Sequence, residues 1–133
     1  MDCALDGRRH GHYHDRVIDL QRAVATLRER QRALDEAASA RADELRARLP
    51  GLVALLRLQF AATRVVLFGS LARGEFAERS DVDLAVAGIA SSHYWRALDV
   101  VCHTLGTEQV DLVRLEEATP EMCETLKYEG IEL

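Results

Sequence analysis

Asp81 and Asp83 stand one residue apart in Asp81-Val82-Asp83-Leu84-Ala85-Val86, a segment whose alternation reads as a β-strand. On a strand both carboxylates point to one face of the sheet, while Val82, Leu84 and Val86 point to the other. Like charges on neighbouring positions of one face repel unless something neutralises them. A hard divalent cation with oxygen ligands is the usual partner, and magnesium is the natural candidate. Upstream, the continuously apolar run Val65-Val66-Leu67-Phe68 suits a short strand covered on both faces, and Gly69-Ser70 ends it. The glycine lets backbone approach a bulky anion, and Ser70 adds a hydroxyl to what reads as a phosphate cradle.

A third acid, Asp111, sits in Val110-Asp111-Leu112-Val113, with Val110 and Leu112 expected in the core and Asp111 on the open face. If this strand lies beside that of Asp81 and Asp83, three carboxylates converge next to the phosphate turn. Two-metal phosphoryl or nucleotidyl transfer requires that arrangement.

The spacing of these residues resembles the signature of the DNA polymerase beta-like nucleotidyltransferase superfamily: Gly69-Ser70, ten intervening residues, then Asp81-Val82-Asp83, with Ala72-Arg73-Gly74 inside the loop. The later Val110-Asp111-Leu112-Val113 is similar to its third metal-binding carboxylate, and Lys127-Tyr128-Glu129-Gly130-Ile131 to the ending of its minimal, antitoxin-type members. The resemblance spans roughly residues 52 to 133. It implies a polymerase beta-like fold and transfer of a nucleoside monophosphate, AMP by expectation, from ATP or another NTP to a hydroxyl. It assigns two Mg2+ ions to Asp81 and Asp83, with Asp111 serving only the metal that activates the acceptor. Gly69 and Ser70 would hold the β- and γ-phosphates. Arg73 has two open readings, phosphate neutralisation or an ion pair with Glu75 or Glu78, and Lys127 is a weaker candidate. The family's minimal members imply a protein acceptor such as a HEPN-domain toxin. The competing reading is a catalytically idle module that neutralises a partner by binding alone.

The elements that must position these residues follow from composition and punctuation. Residues 1–14 hold His10, His12 and His14 without apolar periodicity and are expected to be a flexible terminus with no assigned function. From 15 to 49 the chain turns to Ala, Leu, Arg, Glu and Gln with no glycine and no proline, the composition of a long helix. Val17, Leu20, Val24 and Leu27 follow heptad spacing, and the stripe continues less cleanly through Gln31, Leu34, Ala38 and Leu45, interrupted by Arg41 and Arg48. Such a helix either folds back over its own domain, broken near Ala37–Ala40, or pairs with another chain, a homodimer being the simplest case. Pro50 is expected to end or kink it, with a second helix from Leu52 to about Phe60 and the nucleotidyltransferase domain over 50–133. Ser91 or Ser92 would cap a helix carrying Trp95, Leu98, Cys102 and Leu105 on its core face, adenine stacking being the alternative use of Trp95, and Gly106 would stop it. Thr119-Pro120-Glu121 opens a last helix, Gly130 ends it, and residues 131–133 add an edge strand. The fold class is α/β or α+β, a small mixed sheet with helices on one face and the acids on the open one, plus the long amino-terminal helix.

At 133 residues the chain suits one core-forming domain. A net charge of −5 without a Lys/Arg run disfavours polynucleotide partners. Cys3, Cys102 and Cys123 are odd in number and far apart, indicating neither a disulfide framework nor a zinc site. No apolar run approaches the ~20 residues that span a bilayer, and the polar start lacks signal-peptide character, so the expected location is the cytoplasm.

Overall fold

The computed structural model describes the backbone from Asp2 to Leu133 and the side chains from Arg16 onward. Residues 2–14, expected as a flexible terminus, belong in backbone to the first helix, and their side chains, those of His10, His12 and His14 included, lie outside the described ones. Two compact units divide the chain, Met1–Glu36 and Ala37–Leu133, and helix α1 (Asp2–Phe60) supplies residues to both. Among the described residues no helix is long and apolar enough to cross a membrane.

In the first unit the heptad stripe faces water. Leu20 is 66% and Leu27 61% exposed, with Val17, Val24 and Leu34 exposed beside them. Gln31, the polar residue on that seam, donates along its own helix to Asp35 Oδ1 at 2.9 Å.

In the second unit α1 buries Ala38, Ala42, Leu45, Leu49, Leu52, Val53 and Leu56, a three-and-four spacing that puts one face on the core. Of the two expectations for Pro50, an end or a kink, the end is not met: the proline lies inside α1. Its ring removes one helical hydrogen bond at a cost of about 3 kcal/mol. The buried Leu49, Leu52, Val53 and Leu56 on either side offset that. Arg41 and Arg48, which interrupt the apolar stripe, end on polar partners: Arg41 donates to Thr107 Oγ1 at 3.0 Å and Arg48 to the Leu105 carbonyl at 2.9 Å. The same helix sends Arg46 to the Leu71 carbonyl at 2.8 Å. The arginine stems lie along the helix surface while their heads satisfy carbonyl and hydroxyl groups near element ends.

After α1 the chain reverses through Ala61 at φ 56°, with the Ala62 N–H returning to the Leu56 carbonyl. The four strands β1 (Arg64–Phe68), β2 (Val82–Ala87), β3 (Val110–Arg114) and β4 (Ile131–Glu132) form one sheet in the order β3-β2-β1-β4. β2 runs antiparallel to β1 and parallel to β3, and β4 pairs antiparallel on the far side of β1. The expected edge strand at the carboxy-terminus is therefore present. Between the strands lie α2 (Gly69–Arg73), α3 (Tyr94–Leu105) and α4 (Pro120–Glu129). Thr119 caps α4, accepting the Met122 N–H at 3.2 Å, and Gly106 closes α3 in the left-handed conformation, both as the sequence indicates.

Two expectations about α3 need correction. Its cap position is His93, after a 3₁₀ turn over Ser91–His93, and no serine side chain bonds its first turn. Its buried face is Ala97, Val101 and Leu105, while Trp95 is 73% exposed, its ring edge-on to Tyr94 with centroids 5.2 Å apart. The small Ala97 and the branched Val101 let the helix lie close to the sheet, and the larger indole turns outward. The sheet is also less one-sided than its alternation suggests. Val65, Leu67, Val82, Leu84, Val86 and Leu112 face the main core under α1 and α3, but Val66, Phe68 and Ala85 form a second cluster with Met122 and Leu126 of α4. The unbroken apolar run in β1 serves both layers.

Candidate functional site

The acidic residues are placed by strand register. Asp83 pairs with Asp111 across the parallel β2–β3 ladder and with Phe68 across β1, so Asp83 and Asp111 project from the face that α4 partly covers. Asp81 precedes β2, and the Val82 N–H donates to the Gln109 carbonyl at 2.9 Å, extending the pairing to the mouth of the sheet.

Gly69 follows β1 directly beside Asp83. Its φ is +73°, and a Cβ built there would stand 1.9 Å from Asp83 Oδ2. Both the backbone conformation and the space therefore demand glycine, and the carboxyl of Asp83 closes over the main chain where the phosphate turn begins. Ser70, half-buried, leads α2, whose last residue is Arg73. α4 approaches from the other side. Gly130 at its end is packed so closely that a Cβ would lie 2.9 Å from Val66 Cγ1 and 2.3 Å from the Leu126 carbonyl oxygen, and this contact sets Glu129 against the turn. The Gly69 N–H donates to Glu129 Oε1 at 3.3 Å, and Arg73 Nη1 donates to Glu129 Oε2 at 2.9 Å. Arg73 Nε also reaches Glu75 Oε2 at 3.1 Å. Of the two pairings expected for Arg73, Glu75 is made; the stronger partner by geometry, Glu129, lies 56 residues away in sequence.

Gly69, Ser70, Arg73, Asp81 and Asp83 share a cavity of about 550 Å³, whose other wall is the face of α4 carrying Glu121, Thr125 and Glu129. Asp111 stands in register with Asp83 but is not part of that lining, and Lys127 lies outside it. The α4 residues escaped the sequence reading. Their signal is the helical spacing 121, 125, 129, which places three polar side chains in one row.

The electrostatics mark the site as an unneutralised acidic cluster. Burial first, then the charges of Asp111 and Asp81, push the Asp83 carboxyl up to about 6. Glu129 moves the other way, held below the usual carboxylate range mainly by its bond from Arg73. The Tyr94 hydroxyl donates to the Leu112 carbonyl at 2.7 Å and ties α3 to β3 beside Asp111; burial, then that aspartate, raises its pKa.

Among the described residues no three His, Cys, Asp or Glu side chains converge closely enough to share one ion as they stand. Of the three acids expected from sequence, Asp83 and Asp111 stand opposite one another across the β2–β3 ladder. The donor set nevertheless fits a hard cation. It consists of carboxylate oxygens, and the Asp83 carboxyl, raised first by burial and then by the charges of Asp111 and Asp81, is a group whose ionised form a divalent ion would stabilise.

A sequence profile of the family "Polymerase beta, Nucleotidyltransferase" matches residues 52–133. No curated protein matches significantly in sequence. Among solved structures, one of a minimal nucleotidyltransferase is 36% identical, covering 69% of this chain and 95% of that one with a TM-score of 0.61. The structure of a toxin–antitoxin complex with AMP-PNP is 27% identical, covering 60% of this chain and 67% of that one, with a TM-score of 0.54. A tri-AMPylated HEPN toxin with its MNT antitoxin from Shewanella oneidensis, 23% identical over 66% of this chain and 70% of that one with a TM-score of 0.53, shares the fold. Profile, strand register and glycine turn agree, and the chain belongs to the polymerase beta nucleotidyltransferase family, among its minimal nucleotidyltransferases.

Proposed function

We propose that the protein is a magnesium-dependent adenylyltransferase of the cytoplasm, moving AMP from ATP to a hydroxyl on a partner protein, with a HEPN-domain toxin as the acceptor. The observation that carries this reading is Asp83, held in register with Asp111 and packed against a glycine turn where a Cβ would meet its carboxyl. Similarity to a toxin–antitoxin complex containing AMP-PNP supports both the nucleotide and the kind of partner. Asp81 and Asp83 would hold two Mg2+ ions, one of them shared with Asp111, and these would supply charge neutralisation at the phosphates and acidify the acceptor hydroxyl. Gly69 brings its main-chain N–H to the wall where the β- and γ-phosphates would sit, Ser70 offers its hydroxyl, and Arg73 brings a guanidinium to the same wall. Asp111, paired with Asp83 across the β2–β3 ladder, would stand on the side of the attacking hydroxyl. In the reaction the acceptor oxygen bonds to the α-phosphorus, the bond to the β-phosphate oxygen breaks, pyrophosphate leaves and the hydroxyl proton is lost to water.

The exposed stripe Val17, Leu20, Val24 and Leu27 supports a second feature, homodimerisation through the amino-terminal helix. It also sustains the alternative that the protein neutralises its partner by contact alone. One experiment separates transfer from contact: incubation of the candidate toxin with ATP labelled at the α-phosphate. Label on the toxin with magnesium, lost in Asp83→Asn and Asp111→Asn while the complex still forms, supports transfer. Neutralisation by an unlabelled complex supports contact alone.

A further inference from the structure

Glu129 lies at the end of α4 with its two oxygens on two different donors, the Gly69 N–H at 3.3 Å and the Arg73 guanidinium at 2.9 Å. These are the backbone and cationic groups that a phosphate would use. The carboxylate is ionised at neutral pH, since the bond from Arg73 holds its pKa below the usual range. Its side chain is 20% exposed, whereas that of Arg73 is 42% exposed. The end of α4 cannot retreat easily, because Gly130 is packed against Val66, so vacating the seat falls to the Glu129 side chain alone. Once displaced, that carboxylate is a loose negative charge in a cavity that already holds Asp81 and Asp83.

We propose that Glu129 is a specificity-determining residue of the phosphate seat: its carboxylate fills the Gly69–Arg73 seat in the free protein, so that oligophosphates accompanied by a divalent cation displace it and bare or single phosphates do not. The proposal rests on reading this cavity as a nucleoside triphosphate site. A single phosphate exchanges one anion for another on the same donors and leaves Glu129 repelled by the aspartates. An oligophosphate carrying a divalent cation brings further contacts and neutralises the freed carboxylate in the same step. The acid thereby makes occupancy conditional on the metal.

The test is calorimetric titration of inorganic tripolyphosphate and orthophosphate into wild type and Glu129→Gln, each with and without magnesium. Glu129→Gln removes the charge and nearly keeps the shape. The expected result without magnesium is tripolyphosphate binding at least tenfold tighter to the variant than to wild type, and measurable orthophosphate binding to the variant only. With magnesium the gap closes to about twofold. Equal or weaker metal-free binding by the variant overturns the proposal while leaving the triphosphate site standing. Failure of both proteins to bind tripolyphosphate or ATP with magnesium overturns the site and the proposal together. A readout on the wild type needs no variant: the Gly69 amide resonance should shift on adding magnesium tripolyphosphate and stay in place with orthophosphate. An unmoved resonance at saturating tripolyphosphate overturns the proposal.

Discussion

Asp83 carries two opposing demands, and its titration exposes them. Its carboxyl is pushed up to about 6 by burial and by the neighbouring Asp111 and Asp81 charges, so between the ordinary carboxylate range and pH 6 the folded protein holds a proton that the unfolded chain has released. The contribution of Asp83 to stability therefore falls as pH rises through roughly 4 to 6 and levels off above pH 7, where the ionised group is a net cost. The shift alone would amount to ~3 kcal/mol, but the group is only half-buried and solvent screening reduces this to about 1 kcal/mol. In metal-free buffer Asp83→Asn should melt higher than wild type at pH 7.5, and the difference should vanish near pH 4. Adding magnesium should reverse the order at pH 7.5, because only wild type gains from binding the ion. Parallel melting curves across this range would remove the account in which burial and like charge together raise the Asp83 carboxyl. Gly69 meets the same carboxyl from the main chain: its left-handed conformation and the closeness of Asp83 each favour a residue without a Cβ.

At the scale of elements, α1 meets β1 through a residue ill-suited to the turn. Ala61 takes φ 56°, a conformation that costs an L-residue about 1–2 kcal/mol, and the Ala62 N–H bond back to Leu56 holds it there. Glycine would adopt this conformation freely, at some cost in unfolded-state entropy. Ala61→Gly is expected to stabilise the protein by about 0.5–1 kcal/mol in urea denaturation, against the usual direction of that substitution. A loss of stability would place the strain elsewhere in the turn. The opposite case is α3, where Gly106 already occupies the left-handed cap and Arg48 donates to the neighbouring Leu105 carbonyl. The one helix end has its glycine and the other lacks it.

For the whole molecule the open question is assembly. The first unit presents Leu20 and Leu27 more than half exposed on a heptad stripe, and an apolar stripe in water favours association. Light scattering should find a dimer, and Leu20→Glu with Leu27→Glu should return it to monomer by placing like charges across the seam, with no change in nucleotide binding. A monomeric wild type would leave the stripe to a foreign helix. Gln31 already bonds along its own helix to Asp35, which argues that any pairing fades beyond the first heptads.

What the sequence determined by itself is local. The strand, glycine turn and strand from Val65 to Val86, the caps at Thr119 and Gly106, and the heptad stripe are legible because period, turn chemistry and capping depend on residues a few positions apart. Only the tertiary structure decided what depends on packing. Pro50 stays inside a helix because buried leucines flank it, and Trp95 turns out because Ala97 and Val101 fit the sheet better. Asp111 reaches Asp83 through a strand register that no short window contains. Glu129 meets Gly69 and Arg73 because Gly130 lets α4 close onto β1. In each of these cases the deciding energy is a contact between residues distant in the chain, and only the folded chain brings such residues within range of one another.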